Sequence, residues 1–251
     1  MRNNVNDPYG LSQLFHLNSE PWIDENQMPN APFSQETKSD PHAQRIALPD
    51  TARGAIEGLA AGRRSTRAFA DNPLALCDLA AMLRAGYQVL GPDRLADGTQ
   101  LLRRPVPSAG GLYPLEVYAL VRNVDGLAKG IYHYDSKADD LALIKQGDWE
   151  DQARDAFLTW SFVAQAPVVL CLGAVFARTQ RKYGPRGYRY VLIEAGHVAQ
   201  NICLAAAERD LATLCLGGYA DTVLNRLIGL DGQSEAIIYA LGLGHDKKGH
   251  D

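Results

Sequence analysis

Cysteine is scarce: four in 251 residues, at Cys77, Cys171, Cys203 and Cys215, none in a CxxC pair. Three lie in apolar stretches and Cys77 lies on a predicted helix, so the expectation is buried free thiols rather than metal or redox chemistry. Apolar runs are also short. None approaches the ~18 residues of a membrane span, and the opening MRNNVNDPYG has no hydrophobic core of the kind a secretory leader carries. The default expectation is a cytoplasmic protein. A basic excess is missing too: the formal net charge is -4, which gives no reason to expect nucleic acid or an anionic membrane as partner. The six histidines fall in no HExxH or other ligand spacing, so no metal site is expected.

What is present is core-forming material. Hydrophobic residues make up 46% of the chain, enough for a globular domain with an ample interior. Residues 1–48 are rich in Asn, Pro, Ser and Asp and read as an irregular arm, for substrate or partner docking, in which Phe15, Trp22 and Phe33 need something to pack on. Residues 49–251 read as one domain. A helix is expected over 72–90, with Asn72 as cap, Pro73 in its first turn and Gly91-Pro92 as its stop. Strands are expected at 114–123, 130–135 and 140–147, the last two joined by the SKAD turn. Then come a helix at 149–160, a buried strand at 166–176, a long central helix at 188–211, a strand at 212–218, a short helix starting near Asp221 or Thr222, and a last strand at 236–244. The pattern is α+β.

Three segments carry chemistry. AGRRSTRAFA sets Arg63, Arg64 and Arg67 around Ser65 and Thr66. Guanidinium groups bind phosphate bidentately and a serine hydroxyl adds a donor; a solvated basic turn competes evenly. RPVPSAGGLYPLEVY puts Pro107, Ser108, Ala109, Gly110 and Gly111 in a compact loop before a strand. Its small residues let backbone approach a flat ligand, and its N–H groups can bond a heteroaromatic ring; an ordinary turn is the alternative. It is neither a GxxxxGK[ST] nor a GxGxxG loop. QRKYGPRGYRY places Lys182 and Tyr183 before the central helix, where a basic surface loop is the plain alternative. On the helix itself Glu194, His197 and Asn201 are spaced to share a face, either for a dimer or substrate contact or, more often for buried polar groups, to satisfy one another.

The blocks RRSTRAF, PSAGGLYPLEVY, GIYHYD, YGPRGYRYVLIEAGHVAQNICLAA and LCLGGYADTVLNRLIGL occur in that order over roughly residues 50–245. Together they resemble the SagB-type dehydrogenases, the thiazoline and oxazoline oxidases of the FMN-dependent nitroreductase superfamily. The resemblance implies a mostly antiparallel sheet wrapped by helices, in an intertwined homodimer with FMN in a groove at the interface. It implies that Arg63, Arg64, Ser65 and Arg67 hold the FMN phosphate and ribityl chain, with Lys247 or Lys248 completing the phosphate site. By the same resemblance, Pro107 through Gly111 line the flavin ring, and Gly217 and Gly218 approach it from the end of their strand. Some members carry Gly-Asn where this chain has Gly110-Gly111, which removes one side-chain contact and leaves the backbone ones.

The implied activity is aromatisation of an azoline ring in a peptide or carrier-bound intermediate, with oxygen as final acceptor and a cyclodehydratase or peptide synthetase as partner. A Lys-Tyr pair near this position is ascribed to proton removal in such enzymes, which makes Lys182 the candidate base and Tyr183 its partner. A lysine does this at neutral pH when burial or nearby positive charge lowers its pKa, and Arg181, Arg186 and Arg189 are the candidate charges. Two rivals stand beside this reading: NAD(P)H-dependent reduction of nitro compounds, quinones or flavins, and a catalytically inactive scaffold in a biosynthetic complex.

Overall fold

The computed structural model describes residues 10–20, 37–94, 98 and 100–247, apart from the side chains of residues 159 and 160. Trp22, Phe33 and Lys248 lie outside the described residues. The centre is a six-stranded sheet. In chain order its strands are β3 (Leu115–Val121), β4 (Gly130–Asp135), β5 (Asp140–Gln146), β6 (Val168–Val175), β7 (Ala212–Leu216) and β8 (Glu235–Gly244). Their spatial order is β5-β4-β3-β6-β8-β7, and every pairing is antiparallel. The expected α+β architecture with an antiparallel sheet is therefore the one observed.

Strand β6 reads VVLCLGAV and is buried along nearly its whole length, as a central strand covered on both faces must be. In β3 the period-2 alternation divides the side chains between two cores. Leu115, Val117, Ala119 and Val121 face helices α3 (Leu76–Tyr87) and α6 (Arg186–Glu208). Tyr118 and Leu120 face α4 (Glu150–Phe157) and α7 (Asp221–Ile228). Helix α6 buries Val191, Ala195, Val198 and Ile202 on one side yet leaves Leu192 and Ile193 exposed on the other. The expected central helix is therefore buried along one side and open to solvent on the other.

Several boundaries differ from expectation, each for a local reason. Asn72 does not cap α3, and Pro73 is not in its first turn. Leu74 donates its N–H to the Asn123 carbonyl and accepts from Asp125 N–H, both at 3.0 Å. These bonds hold the segment extended, so the helix starts at Leu76 with Ala75 as cap. It ends at Tyr87, and Gly91-Pro92 opens a hairpin strand, β1 (Gly91–Arg94), paired with β2 (Gln100–Arg103). The predicted helix over 149–160 stops at Phe157 and passes into a tighter 3-10 segment, Leu158–Gln165. Two helices were not foreseen, α2 (Ala55–Gly62) and α5 (Ala177–Tyr183). Nor is the arm wholly irregular: α1 (Gly10–Leu17) packs His16 between Phe176 and Tyr188, and Phe15 stands edge-on to Tyr188.

The junction of α5 and α6 sets how the long helix leaves the short one. A Cβ at Gly187 would lie 2.9 Å from the Gln180 Cα and 3.0 Å from its backbone nitrogen, closer than real side chains approach. Only glycine allows α6 to start this tightly against α5.

Candidate active site

The loop over 107–113 is held in a conformation that few residues adopt. Gly110 and Gly111 both have φ of 65°, and Tyr113 has φ of 44°, left-handed values that cost a side-chain-bearing residue about 1–2 kcal/mol. Ala109–Gly111 make one 3-10 turn, and Gly111 N–H closes on the Ser108 carbonyl at 3.1 Å. Ser108 Oγ accepts from Tyr113 N–H at 3.0 Å. Pro107 and Gly110 are exposed, and Ser108, Ala109 and Gly111 are half-buried. The loop thus offers an accessible backbone ledge.

Beneath the ledge lies a buried polar network. Glu194 is 2% exposed. It accepts a hydrogen bond from the Tyr87 hydroxyl at 2.8 Å and another from Ser108. Burial raises its carboxyl pKa above the usual range, and those two hydrogen bonds and Arg104 only partly offset the shift. The Tyr87 oxygen in turn accepts from Leu115 N–H at 3.0 Å, at the first residue of β3. Arg104 stacks over the Tyr87 ring, 4.1 Å from its centroid, and donates to Ser136 Oγ and to the Tyr87 carbonyl. Asn201 Nδ2 donates to the Ala85 carbonyl at 3.2 Å and to Pro105 at 3.4 Å. Glu194 and Asn201 therefore support the loop. His197, expected on their face, is exposed, because three residues at about 100° each carry it about 60° from Glu194 toward solvent, while Asn201 returns to within about 20°.

Lys182 and Tyr183 come from the last turn of α5 and stand over the loop. A Cβ added to Gly110 would lie 2.7 Å from Tyr183 Oη and 2.8 Å from Lys182 Nζ. The two side chains thus converge on one backbone position, and only glycine admits them there. Lys182 is exposed, with its ammonium 5.4 Å from the Tyr183 ring centroid, and Tyr183 is braced edge-on by Tyr190 at 5.1 Å. They lie in the last turn of a helix rather than in a loop, and Lys182 stays at the surface. On the other side a Gly111 Cβ would meet Leu101 Cδ1 at 3.0 Å, so the β1–β2 hairpin forms one wall of the ledge.

The arginine segment is placed differently. It runs along the free edge of β7. Thr66 N–H donates to the Thr213 carbonyl at 3.0 Å, and Ser65 and Thr213 form a bridge. The C-terminal tail returns to it: Lys247 N–H donates to the Ala68 carbonyl at 3.0 Å. Arg63, Arg64, Thr66 and Thr213 line a groove of about 390 Å³, which Asp210 and Asp246 also enter. Arg63 donates to Ser65 Oγ at 3.3 Å, and Arg64 bonds the Ala61 carbonyl at 2.7 Å, satisfying the C-terminal end of α2. Ser65, Arg67, Gly217 and Gly218 are not among the lining residues of this groove, and a Cβ at either of the two glycines would meet open space.

Helix α6 joins the two halves. Asn201 bonds the stem of the glycine loop, and Cys203, two residues on, lines the arginine groove. Sequence reasoning missed Tyr87, Arg104 and Leu101. Their role depends on contacts between distant elements, and nothing in their own spacing marks it. Among the described residues no group of acidic, histidine and cysteine side chains is arranged to hold a metal ion, and no helix is long and apolar enough to cross a membrane.

The chain is similar to known proteins over most of its length. The chain is 37% identical over 183 residues to the Methanocaldococcus jannaschii protein MJ1384, named as a nitroreductase, covering 73% of this chain and 88% of that one. It is 31% identical over 156 residues to the microcin B17-processing protein McbC of Escherichia coli, which is 59% of this chain and 57% of McbC. It shares its fold with a chain of the E. coli microcin synthetase McbBCD complex bound to truncated pro-MccB17, with a TM-score of 0.67 at 23% identity, covering 94% of this chain and 87% of that one. The nitroreductase family model matches residues 60–245, so this chain belongs to the nitroreductase family, a family of oxidoreductases.

Proposed function

We propose that the protein is an FMN-dependent dehydrogenase that aromatises an azoline ring in a peptide or carrier-bound intermediate. The observation that carries this reading is the convergence of Lys182 Nζ and Tyr183 Oη on Gly110, at the exposed ledge of the glycine loop. Kinship with McbC, a processing protein for a peptide, supports a peptide substrate. The residues fit the cofactor. Gly110 and Gly111 leave a flat ledge without side chains, and Arg63 and Arg64 border a groove wide enough for a phosphate. Pro107 through Gly111 would hold the ring side. Arg63, Arg64 and Ser65, with Arg67 and Lys247 nearby, would hold the phosphate side, and Gly217 and Gly218 would give it room.

When bound, FMN supplies a two-electron acceptor for hydride from the ring carbon. The chain's own residues do the rest. Lys182 takes the proton lost from the atom adjacent to the hydride-donating carbon, so the ring loses one hydride and one proton and gains one double bond. Tyr183 orients the Lys182 amine through its ring and hydroxyl. Seating of substrate over the ledge excludes water from the exposed Lys182, the condition under which an amine acts as base near neutral pH. A homodimer is part of this reading, and the exposed Leu192 and Ile193 on α6 are the apolar surface that supports it. A cyclodehydratase or peptide synthetase would supply the azoline.

Reduction of nitro compounds or quinones with NAD(P)H is the second reading, favoured by the likeness to MJ1384. Anaerobic mixing of the flavin-loaded protein with a thiazoline peptide separates the two. Bleaching with loss of two hydrogens from the peptide, abolished in Lys182→Ala with FMN still bound, is the expected result. Bleaching by NADPH alone assigns the protein to the reductases.

A further inference from the structure

Two of the four cysteines, separated by twelve positions in sequence, meet in the fold. Cys203 on α6 and Cys215 on β7 bring their sulfurs to 3.5 Å. A disulfide needs about 2.05 Å, so an approach of about 1.5 Å closes the bond. Thr213 lies between them on β7 and donates its hydroxyl to Cys203 Sγ at 3.5 Å. The pair sits at the arginine groove: Cys203 lines it with Arg63 and Thr213, and the Tyr239 hydroxyl bonds Cys215 from the other side. Neither sulfur has a role in the chemistry proposed above.

We propose that Cys203 and Cys215 are a thiol–disulfide site, oxidised by hydroperoxides, whose closure loosens the arginine segment. Cys203 is the attacking sulfur. The Cys215 S–H, where it is the donor of the shared bond, the Thr213 O–H and the nearby Arg63 together lower its pKa despite burial. Cys215 shifts the other way, because it gives its proton to that shared bond. The Cys203 thiolate attacks one peroxide oxygen. An S–O bond forms, the O–O bond breaks, and the departing oxygen takes a proton from solvent, leaving as water from hydrogen peroxide or as the alcohol from an alkyl hydroperoxide. The Cys215 thiol then attacks the sulfenic sulfur, forming the S–S bond and expelling that sulfur's oxygen as water. The two sulfurs lose two electrons, which the two peroxide oxygens gain.

Closure draws β7 and α6 together at the strand that carries the segment. The Thr213 carbonyl holds Thr66 N–H at 3.0 Å, and Ser65 bridges the same residue. Thr213 moves with Cys215, so the Thr66 bond weakens and the groove changes shape. A loss of FMN affinity is the consequence, and that clause rests on the function proposed above.

The test uses the full chain, with and without excess hydrogen peroxide, digested with trypsin without reduction. Cys203 and Cys215 fall in adjacent tryptic peptides, 190–209 and 210–226, so their disulfide joins two peptides. The exposed Cys77 reports whether the oxidant was active. Three results are expected: peptides 190–209 and 210–226 linked and freed by dithiothreitol; faster deuterium exchange at the Thr66 amide in the oxidised chain; and FMN affinity at least tenfold weaker, restored on reduction and unaffected by peroxide in Cys215→Ser. Oxidation of Cys77 with both inner thiols still alkylatable overturns the proposal, and so does a cross-link that leaves Thr66 exchange unchanged. A reduced chain that never binds FMN overturns the functional reading instead, while the cross-link and the amide exchange still decide this one.

Discussion

The glycine loop and the arginine segment are supported in opposite ways. The loop is anchored from the interior, through Ser108 and Leu115 to Tyr87 and Glu194, in a network with little access to water. The arginine segment hangs on an edge strand by a few backbone bonds, its side chains largely in solvent. Preorganised geometry belongs where atoms react, because a misplacement of about 1 Å there can cost ~10²-fold in rate. A phosphate handle needs only charge and reach, and tolerates looser support. If this contrast is correct, damage to the first region shows in turnover and stability, and damage to the second shows in cofactor affinity and its salt dependence.

The largest effect is expected from Gly110→Ala. The new Cβ meets Tyr183 Oη and Lys182 Nζ at under 3 Å and sits at a left-handed φ. Lys182 and Tyr183 must swing away, and turnover should fall by about 10²-fold, the scale of a 1 Å misplacement, with FMN still retained through the arginine side. Stopped-flow reduction by the azoline peptide measures it. Equal loss of FMN and turnover would mean the ledge carries binding rather than positioning.

Glu194→Ala comes next. It leaves the buried Tyr87 hydroxyl and the half-buried Ser108 hydroxyl without their acceptor, at about 1–3 kcal/mol for the buried one, and denaturant unfolding reads the loss. Glu194→Gln keeps an acceptor and tests pH instead. The folded pKa of Glu194 is raised, so the folded chain binds its proton more tightly than the unfolded chain does. The stability this confers is present at acid pH. It declines as pH rises from the ordinary carboxylate range and is fully lost above the raised folded value. The glutamine variant should lack that decline.

The order of elements along the chain was legible because hydrophobic period and turn chemistry act locally. GIYHYD and DLALIKQG became β4 and β5, almost to the residue, since alternation and the SKAD turn leave few choices. The start of α3 was not legible: the bonds between Leu74 and residues 123–125 are tertiary, and they override a good capping sequence. In the candidate site, Gly110 and the Lys182–Tyr183 pair were legible as residue types, but their convergence was not. It depends on Gly187 fitting against Gln180, a contact between two helices of which only one was foreseen. The thiols are free, as expected, although Cys77 is exposed; the meeting of Cys203 with Cys215 depends on α6 packing against β7, which spacing along the chain does not reveal.

On the loosely held side, Arg63→Ala should weaken FMN about tenfold, the scale of one charge-assisted phosphate contact worth ~1.5 kcal/mol, and should flatten the salt dependence of binding. Arg64→Ala should cost less in affinity, because its guanidinium already serves the Ala61 carbonyl at the end of α2. Flavin fluorescence titrations at two salt concentrations check both. If Arg64 proves the stronger of the two, its bond to α2 is broken when the ligand binds, and the contrast between the two regions sharpens further.

The smallest effect lies outside both regions, where the arm meets the body. Glu20 accepts from Thr222 N–H at 3.0 Å and from its hydroxyl at 2.9 Å, at the start of α7, beside Asp221. Burial, with the Glu20 charge added, raises the Asp221 carboxyl to about 6. The folded chain therefore holds this proton more tightly than the unfolded chain, and stability declines as pH rises from the ordinary aspartate range to about 6. Asp221→Asn removes the penalty but also gives up a favourable charge in the first turn of the helix. Solvent screening reduces the net gain to about 1 kcal/mol, which shifts Tm by about 2–4 °C in a chain of this length. Thermal melts near the two ends of that pH range should show the variant gaining on the parent as pH rises. A constant offset would mean that Asp221 is not held above the ordinary aspartate range in solution, by burial or by Glu20.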